Sequence, residues 1–254
     1  MKMNKVGFVK LLDNFSVKDD QLIYRYITLG QFIHMVERKR IYLSKVIKWE
    51  DPQEGFLISV YINLNIKRAN NSSNDAEKKD LKKLRNDFQL YKDLTFGTSW
   101  SFLNESDAMW RIYSKQSNGV QIQTTVKKLK NVIANSKVPQ GWDGIRYTVG
   151  KVDYDGDDPA GLILSKLLHA FLQKDKPFEH EKEVRGLILP FENKNTNIEQ
   201  PGNDVIYAPI QDDFIEAVKI DPRAENWFVE AVKSYCKKAG IEKCAKSVLY
   251  AKLI

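Results

Sequence analysis

The sequence predicts a single α+β domain with a mostly antiparallel sheet flanked by helices. Short segments rich in aromatic and β-branched residues alternate with helical segments along the chain, and turn signals separate them. No internal repeat and no long linker divides the 254 residues, a length that suits one large domain or two small ones. We therefore expect one domain over residues 1–254.

The first two predicted strands, at residues 22–27 and 40–44, enclose a helix at residues 29–37 that Thr28 is placed to cap. A polar stretch then precedes an apolar stripe with helical spacing. This stripe predicts a helical insertion at about residues 70–92, between the second and third strands.

The remainder of the chain continues the alternation of strands and helices. Helices are predicted at residues 105–115, 126–135, 162–172 and 222–238, and Gly240 is placed to end the last of them. Strands are predicted at residues 95–102, 119–124, 145–154, 183–191, 204–209, 214–220 and 247–253. We expect the strands at 204–209 and 214–220 to form a hairpin.

The composition limits the partners without selecting one. Forty basic and 33 acidic residues give a net charge of +7, which is compatible with nucleic acid, nucleotide phosphate or an anionic membrane, and equally with a soluble basic surface. No apolar run approaches the roughly 18–20 residues of a membrane span, and no signal peptide is evident, so we expect a cytoplasmic protein without a membrane partner. The two cysteines and three histidines show no metal-ligand spacing, so we expect no metal site.

Arg25 is a charged residue on an otherwise apolar face of the first predicted strand, at residues 22–27. In the predicted strand it lies between Ile23 and Ile27, because alternate side chains share a face. A guanidinium stays charged, so its burial requires an anionic partner or an anionic ligand. Both interpretations remain open: a structural salt bridge, or a binding site.

Glu181, Glu183 and Arg185 point the same way if their strand is regular, and apolar residues continue on that face. This change from charged to apolar is typical of a strand that runs from a cleft into a core. Two carboxylates on a cleft wall could stabilise a developing positive charge and orient a hydroxyl nucleophile, or hold a divalent metal. The alternative is a ladder of ion pairs with Arg185 on an edge strand.

Aromatic residues of the predicted helix at 105–115 form another candidate binding element. Met109 and Tyr113 are one helical turn apart, and Trp110 is beside them. Such residues could form the wall of a site for a base or a nicotinamide ring, although core packing explains the spacing equally well.

Taken in order, these residues resemble a known family. Tyr24-Arg25-Tyr26, Asp51-Pro52-x-Glu54, Met109-Trp110-x-x-Tyr113 and Glu181-x-Glu183-x-Arg185 are similar to the motifs of a large bacterial family described only as a domain of unknown function. Trp49-Glu50 and Phe178 depart from its usual Phe-Asn and Trp. That family is similar in layout to ADP-ribosyltransferases, which implies a split, mostly antiparallel sheet.

The resemblance implies an enzyme that cleaves the nicotinamide–ribose bond of NAD. It assigns Glu183 as the catalytic glutamate, Glu181 as the residue that orients the acceptor, and Arg25 as the pyrophosphate ligand. The residues expected to contact NAD are Arg25, Tyr26, Ser44, Trp110, Tyr113 and Arg185. NAD would be a substrate, and the acceptor a nucleic acid, a protein or water, as in a bacterial toxin or a phage-defence effector.

Two other classes of protein remain compatible with the sequence. One is a catalytically silent module that binds a nucleotide or nucleic acid, and the other is a metal-dependent nuclease, which lacks a third carboxylate at useful spacing. If Arg25 and Glu183 share a site, we expect them on neighbouring strands, with their side chains on the same face of the sheet.

Overall fold

The computed structural model describes residues 5–8, 16–49, 92–139, 142–154, 171–190 and 204–251, with isolated helical positions at 67, 76, 79 and 86. The predicted insertion at 70–92 lies almost wholly outside the described residues, as does the predicted helix at 162–172. The single domain over residues 1–254 therefore stays a prediction. Among the described residues, no helix is both long and apolar enough to cross a membrane.

Ten strands in the described part of the chain form one sheet. They are β1 (Lys5–Phe8), β2 (Leu22–Thr28), β3 (Arg40–Lys45), β4 (Phe96–Ser101), β5 (Gly119–Thr125), β6 (Gly144–Lys151), β7 (Glu183–Pro190), β8 (Val205–Pro209), β9 (Ala217–Ile220) and β10 (Cys244–Lys246). The main order is β1-β6-β7-β4-β2-β5-β9-β10, and β3 joins through β4 and carries β8. Only β1–β6 and β9–β10 are parallel pairs, so the predicted mostly antiparallel sheet is confirmed.

The sheet branches at β4. One edge of β4 pairs with β7 along all of Phe96–Ser101. On the other edge, β2 pairs through Tyr24 at one end of β4, and β3 pairs through Ser44 and Lys45 at the other end. The two strands therefore diverge and leave a gap beside residues 98–100 of β4, which no strand of the described residues fills. This gap is the split in the sheet.

Helices cover both faces of the sheet. Those with both ends in the described residues are α1 (Leu29–Arg38), α2 (Asp107–Tyr113), α3 (Val126–Ala134) and α4 (Asn226–Lys238). The helices α1, α3 and α4 share the main core on one face, where Ile23 and Ile27 of β2 also lie. The helix α2 packs on the opposite face, against Tyr26.

The connection from β2 through α1 to β3 is fixed at both of its turns. Thr28 Oγ1 accepts a hydrogen bond from the Gln31 amide, and Gln31 Oε1 accepts one from the Thr28 amide, so the predicted cap is confirmed as a capping box. Lys39 ends the helix in the left-handed conformation with φ 45°. The two strands that border the gap are thus held at a defined separation.

Gly186 permits the close packing of α3 on β7. A Cβ atom at this position would lie 2.1 Å from Ile133 Cδ1, well inside any allowed contact. Any other residue would force the fully buried Ile133 side chain to shift and would disturb the packing of α3 on the sheet.

Several predicted elements near the C-terminus need correction. The strands at 204–209 and 214–220 do not form a hairpin, since β8 pairs with β3 and β9 pairs with β5. The last helix starts at Asn226 rather than 222, because residues 221–224 form a turn in which Asp221 accepts a hydrogen bond from the Arg223 amide. The last strand is Cys244–Lys246, and a turn follows in which the Ala251 amide donates to the Val248 carbonyl at 3.0 Å.

Two adjacent aromatic residues of α4 should differ sharply in their contribution to stability. Phe228 is 4% exposed within the main core, whereas Trp227, which the helical stripe predicts to be buried, is 67% exposed. Phe228→Ala should lower the free energy of unfolding by about 3–5 kcal/mol. Trp227→Ala should change it by only about 0.5 kcal/mol. Urea unfolding of both variants provides the measurement, and equal losses would contradict the packing described here.

Candidate active site

A cavity of about 230 Å³ lies where the sheet branches. Strands β2, β3 and β4, helices α1 and α2, and the segment that enters β7 all contribute to its walls. The lining residues are Tyr24, Arg25, Tyr26, Ile27, Gln31, Tyr42, Ser99, Trp100, Ser101, Met109, Tyr113, Glu181 and Glu183. Among the described residues, the cavity therefore combines one cation, two carboxylates and five aromatic side chains.

Arg25 reaches the cavity through the gap in the sheet. Tyr24 pairs with Ser101, and Ser101 pairs with Glu183, so these three side chains share one face and alternation places Arg25 on the other. In addition, β4 lies between β2 and β7. The expectation of neighbouring strands and a common face was therefore wrong. Arg25 and Glu183 nevertheless line the same cavity, because β2 and β4 separate beyond Tyr24.

The Arg25 guanidinium has polar and aromatic neighbours but no anionic one. Its Nη1 donates a hydrogen bond to Thr98 Oγ1 at 2.7 Å, and its Cζ lies 5.2 Å from the Tyr42 ring centroid and 5.8 Å from that of Trp100. It forms no ion pair with any residue in the described ranges. Burial lowers the pKa of Arg25, which reflects the cost of holding its charge here.

Glu181 and Glu183 belong to two different backbone elements. Glu181 ends a 3-10 helix, Lys176–Glu181, and β7 begins at Glu183. Between them, Lys182 has the left-handed conformation with φ 44°, which is uncommon for a residue other than glycine. The predicted regular strand through both carboxylates is thus interrupted. The turn at Lys182 brings the two side chains to the same cavity.

Lys174 joins the two carboxylates. Its Nζ lies 2.6 Å from Glu181 Oε2 and 2.7 Å from Glu183 Oε1, and all three side chains are at most 8% exposed. The ammonium group occupies the position between the carboxylates where a divalent cation would have to bind. Within the described residues, no group of three or more potential metal ligands is present.

Glu183 accepts two further hydrogen bonds and is held ionised. Ser99 Oγ donates to its Oε2 at 2.8 Å, and Arg185 Nε donates to the same atom at 2.6 Å. Burial alone would raise the pKa of Glu183, but Arg185 and Lys174 outweigh it and lower that pKa. Its carboxylate is therefore ionised at neutral pH.

Glu181 behaves in the opposite way. Burial, together with the neighbouring Glu183, raises the pKa of Glu181 to about 7, although Lys174 opposes this shift. Glu183 is therefore the charged member of the pair, and Glu181 exchanges its proton near neutral pH. Environments that push the pKa values of two carboxyl groups apart are typical of acid–base sites.

Arg185 and Ser44 lie behind the cavity rather than in it. Arg185 is fully buried, donates to the Phe171 carbonyl at 2.8 Å, and lies with its Cζ 4.8 Å from the Trp49 ring centroid. Ser44 Oγ accepts a hydrogen bond from Trp49 Nε1 at 3.0 Å. Because β7 is an interior strand, the alternative of an edge-strand ladder does not apply, although the Arg185–Glu183 ion pair is present.

The aromatic candidates divide between the wall and its support. Tyr26, Met109 and Tyr113 line the cavity, whereas Trp110 does not. Trp110 is fully buried, and its ring packs edge-to-face on Tyr26 at 4.8 Å. Burial raises the pKa of Tyr26 to about 12, so its phenol stays protonated and donates or accepts hydrogen bonds only as a neutral group.

The structure also brings to the site residues that the sequence analysis did not include. Lys174 and Ser99 bind the carboxylates, while Tyr42 and Gln31 line the cavity beside Arg25. A signal was available for Tyr42, because it lies two positions before Ser44 on the same strand face. No sequence pattern marks Lys174, whose position depends on a tertiary contact.

Comparison with known proteins gives one partial family match and several distant structural matches. Residues 109–186 match a family described as "Protein of unknown function (DUF2971)". The resemblance to a family of unknown function is thus confirmed over a segment that contains the Met109 and Glu183 motifs. The comparison with curated proteins found no match.

Three of the similar solved structures are complexes of DarT from Thermus sp. 2.9. The complex with NAD+ has 10% identity and a TM-score of 0.39, covering 91% of this chain and 98% of the other. The complex with ADP-ribosylated ssDNA has 9% identity and a TM-score of 0.39, covering 96% and 98%. The complex with carba-NAD+ has 10% identity and a TM-score of 0.38, covering 91% and 96%. Similarity at this level does not transfer a function.

Proposed function

We propose that the protein is an ADP-ribosyltransferase-like enzyme that cleaves the nicotinamide–ribose bond of NAD. One observation carries the proposal: a carboxylate held ionised, Glu183, and a partly buried arginine to which the described residues offer no ion-pair partner, Arg25, line the same cavity. The first suits the developing charge of the reaction, and the second suits the anionic part of the substrate.

Glu183 has the properties needed for the bond-breaking step. Loss of nicotinamide leaves positive charge on the ribose, as in glycoside hydrolysis. A fixed carboxylate beside that carbon stabilises the charge as it develops, and it needs no reorganisation because Ser99, Lys174 and Arg185 already hold its oxygens. Glu181, with a pKa near 7, is suited to accept a proton from the attacking hydroxyl or water.

Arg25 supplies the complementary binding group. The guanidinium presents paired donors that match the oxygens of a pyrophosphate, and within the described residues its one hydrogen bond goes from Nη1 to Thr98. An anionic ligand would therefore compensate a charge that the described residues leave without a counter-ion.

The aromatic wall suits the planar rings of NAD. Tyr24, Tyr26, Tyr42 and Tyr113 surround the cavity, and aromatic faces stack well on a nicotinamide ring. A volume of about 230 Å³ is below the roughly 300–1,000 Å³ of complete small-molecule pockets. We therefore place the nicotinamide and its ribose within the cavity, and the adenosine half outside it.

A second candidate function is a nucleotide-binding module without turnover. The observation that favours it is the contact between Lys174 and Glu183 at 2.7 Å, which partly neutralises the carboxylate that catalysis requires. In that case NAD would bind through Arg25 and leave unchanged.

The test is to incubate the purified protein with NAD labelled in the adenosine part and measure free nicotinamide together with bound label. Parallel reactions contain single-stranded DNA, RNA, a protein mixture or buffer alone. We expect nicotinamide release, and the net charge of +7 favours label transfer to nucleic acid. Binding without release would support the silent module, and the absence of both would overturn the proposal.

The physiological role follows from the chemistry. An enzyme that consumes NAD or modifies nucleic acid acts where these molecules are found, so we propose a cytoplasmic site of action. Uncontrolled activity would arrest growth, as expected of a toxin or phage-defence effector. Induced expression in bacteria should therefore slow growth in proportion to the loss of cellular NAD or to the modification of nucleic acid.

A further inference from the structure

Lys174 is the one basic residue that contacts both carboxylates of the site in the described part of the chain. Its Nζ forms buried ion pairs of 2.6 Å with Glu181 and 2.7 Å with Glu183. Lys174 itself does not line the cavity, whereas both carboxylates do. The lysine therefore acts on any bound molecule only through its two partners.

The fold fixes Lys174 from several directions. Its backbone amide donates to the Asp153 carbonyl at 3.1 Å, and the Asp153 amide donates to the Leu172 carbonyl at 2.8 Å. The Phe171 carbonyl accepts a hydrogen bond from Arg185, and the Lys174 ammonium lies 4.4 Å from the Phe178 ring centroid. This anchoring is what is expected of a group whose position, rather than its mobility, matters.

The four charged side chains of this cluster balance one another. Lys174 and Arg185 carry two positive charges, while Glu181 and Glu183 carry two negative charges when both are ionised. Without Lys174, the described residues would leave two adjacent buried carboxylates with Arg185 as their cation. Like charges this close cannot both remain ionised, so the proton affinity of the pair would rise.

We propose that Lys174 is a positioning residue that holds both carboxylates at the cavity and allows Glu181 to lose its proton beside the ionised Glu183. This inference rests on the proposed NAD-cleaving function. It adds a specific role: Lys174 sets the pH above which Glu181 can accept a proton while Glu183 remains ionised.

The effect on pH dependence has a definite sign. Within the described residues, the groups that face the two carboxylates are Lys174, Arg185, Ser99 and Tyr154, and the Tyr154 hydroxyl accepts a hydrogen bond from the Glu183 amide at 2.8 Å. The phenol of Tyr154 stays neutral, because burial raises its pKa. Lys174 is the cation that contacts both carboxylates. Loss of its charge should move the titration of Glu181, and the rising limb of the pH–activity profile, to higher pH by at least about one unit.

The experiment combines carboxyl-carbon NMR titration with pH–activity profiles for wild type, Lys174→Met and Lys174→Arg. Glu181→Gln and Glu183→Gln identify the two signals. We expect Lys174→Met to shift the Glu181 signal and the activity limb upward together, and Lys174→Arg, which keeps the charge, to return both toward wild type. An unchanged titration in Lys174→Met overturns the inference, even if stability falls.

The double variant Lys174→Met/Glu181→Gln covers the case in which Lys174→Met does not fold. It removes one charge of each sign, so it should fold, and its Glu183 should titrate as low as in wild type. A double variant that stays unfolded, or a Glu183 that titrates higher, would overturn the role in charge balance.

Failure of the two proposals can be told apart. If wild type releases no nicotinamide but the titrations shift as described, the NAD-cleaving function is overturned and the action of Lys174 on the carboxylates stands. If wild type is active and Lys174→Met keeps both its titration and its profile, the function stands and the role of Lys174 is overturned.

Discussion

Replacing Glu183 with glutamine is expected to lower nicotinamide release by about 10²–10³-fold or more, because glutamine cannot carry the charge that stabilises the cationic ribose. NAD binding should persist, since the charge matters mainly after the bond begins to break. The same change removes the anion that Arg185 and Lys174 share, at 2.6 and 2.7 Å, so the free energy of unfolding should fall by about 3–5 kcal/mol.

Activity and stability must therefore be measured together. Nicotinamide release is followed at a temperature where circular dichroism shows the variant to be folded, and NAD binding is measured by calorimetry on the same sample. Glu179→Gln is the matched control. This glutamate lies two residues before Glu181, and its partly exposed side chain forms an ion pair with Lys182. Full turnover by Glu183→Gln would refute the catalytic assignment.

The acid side of the stability curve offers a second readout for the same variant. Because the pKa of Glu183 is lowered in the folded protein from its ordinary value of 4.5, its ionised form stabilises the fold above that pH. This contribution is lost as the pH falls through the folded-state pKa. Glu183→Gln should therefore lose more stability at neutral pH than under acidic conditions, and the difference from wild type should shrink as the pH is lowered.

Replacing Arg25 with methionine is expected to weaken NAD binding by roughly 10- to 100-fold, the loss of one charge-assisted interaction of about 1.5–3 kcal/mol. Unlike Glu183, Arg25 has no charged partner in the described residues, so its removal leaves no uncompensated buried carboxylate. The cost of burying the guanidinium also disappears. The melting temperature should therefore stay the same or rise.

A loss of binding with retained or increased stability is the pattern of a residue kept for function. Arg111→Met is the control, because this exposed arginine lies outside the cavity and pairs with Asp107 one turn earlier on α2. Calorimetric titration with NAD and a thermal melt of both variants give the measurement. A large drop in the melting temperature of Arg25→Met, with unchanged affinity, would instead mark Arg25 as a structural residue.

The sequence predicted the local elements well because local signals determine them. The strand β2 and the Thr28 cap of α1 follow from local composition, spacing and side-chain chemistry. Strand pairing does not, since β8 crosses to β3 and β9 to β5, and nothing in the chain between them indicates this choice. Proximity in sequence suggested a hairpin that the sheet does not contain.

The site shows the same division between local and tertiary information. A charged residue between Ile23 and Ile27 was visible in the sequence, and Arg25 does line the cavity. The sequence does not show which side of a short helix faces a cavity. Met109 and Tyr113 of α2 line the cavity, whereas Trp110 packs against Tyr26 outside it, although all three were candidates. Lys174 was not predicted, because its place beside the carboxylates arises from the bridge between Asp153 and Gln173.

The branch of the sheet at β4 also affects how the chain can fold and diversify. The contact from Arg25 to Thr98 spans 73 residues, and that from Ser99 to Glu183 spans 84. Contacts of this range form slowly, because long loops must close before the strands gain any stabilisation. Closure entropy grows by only about 0.6 kcal/mol for each doubling of loop length. The segments that connect these strands can therefore lengthen or shorten at little thermodynamic cost, while the walls of the cavity stay the same.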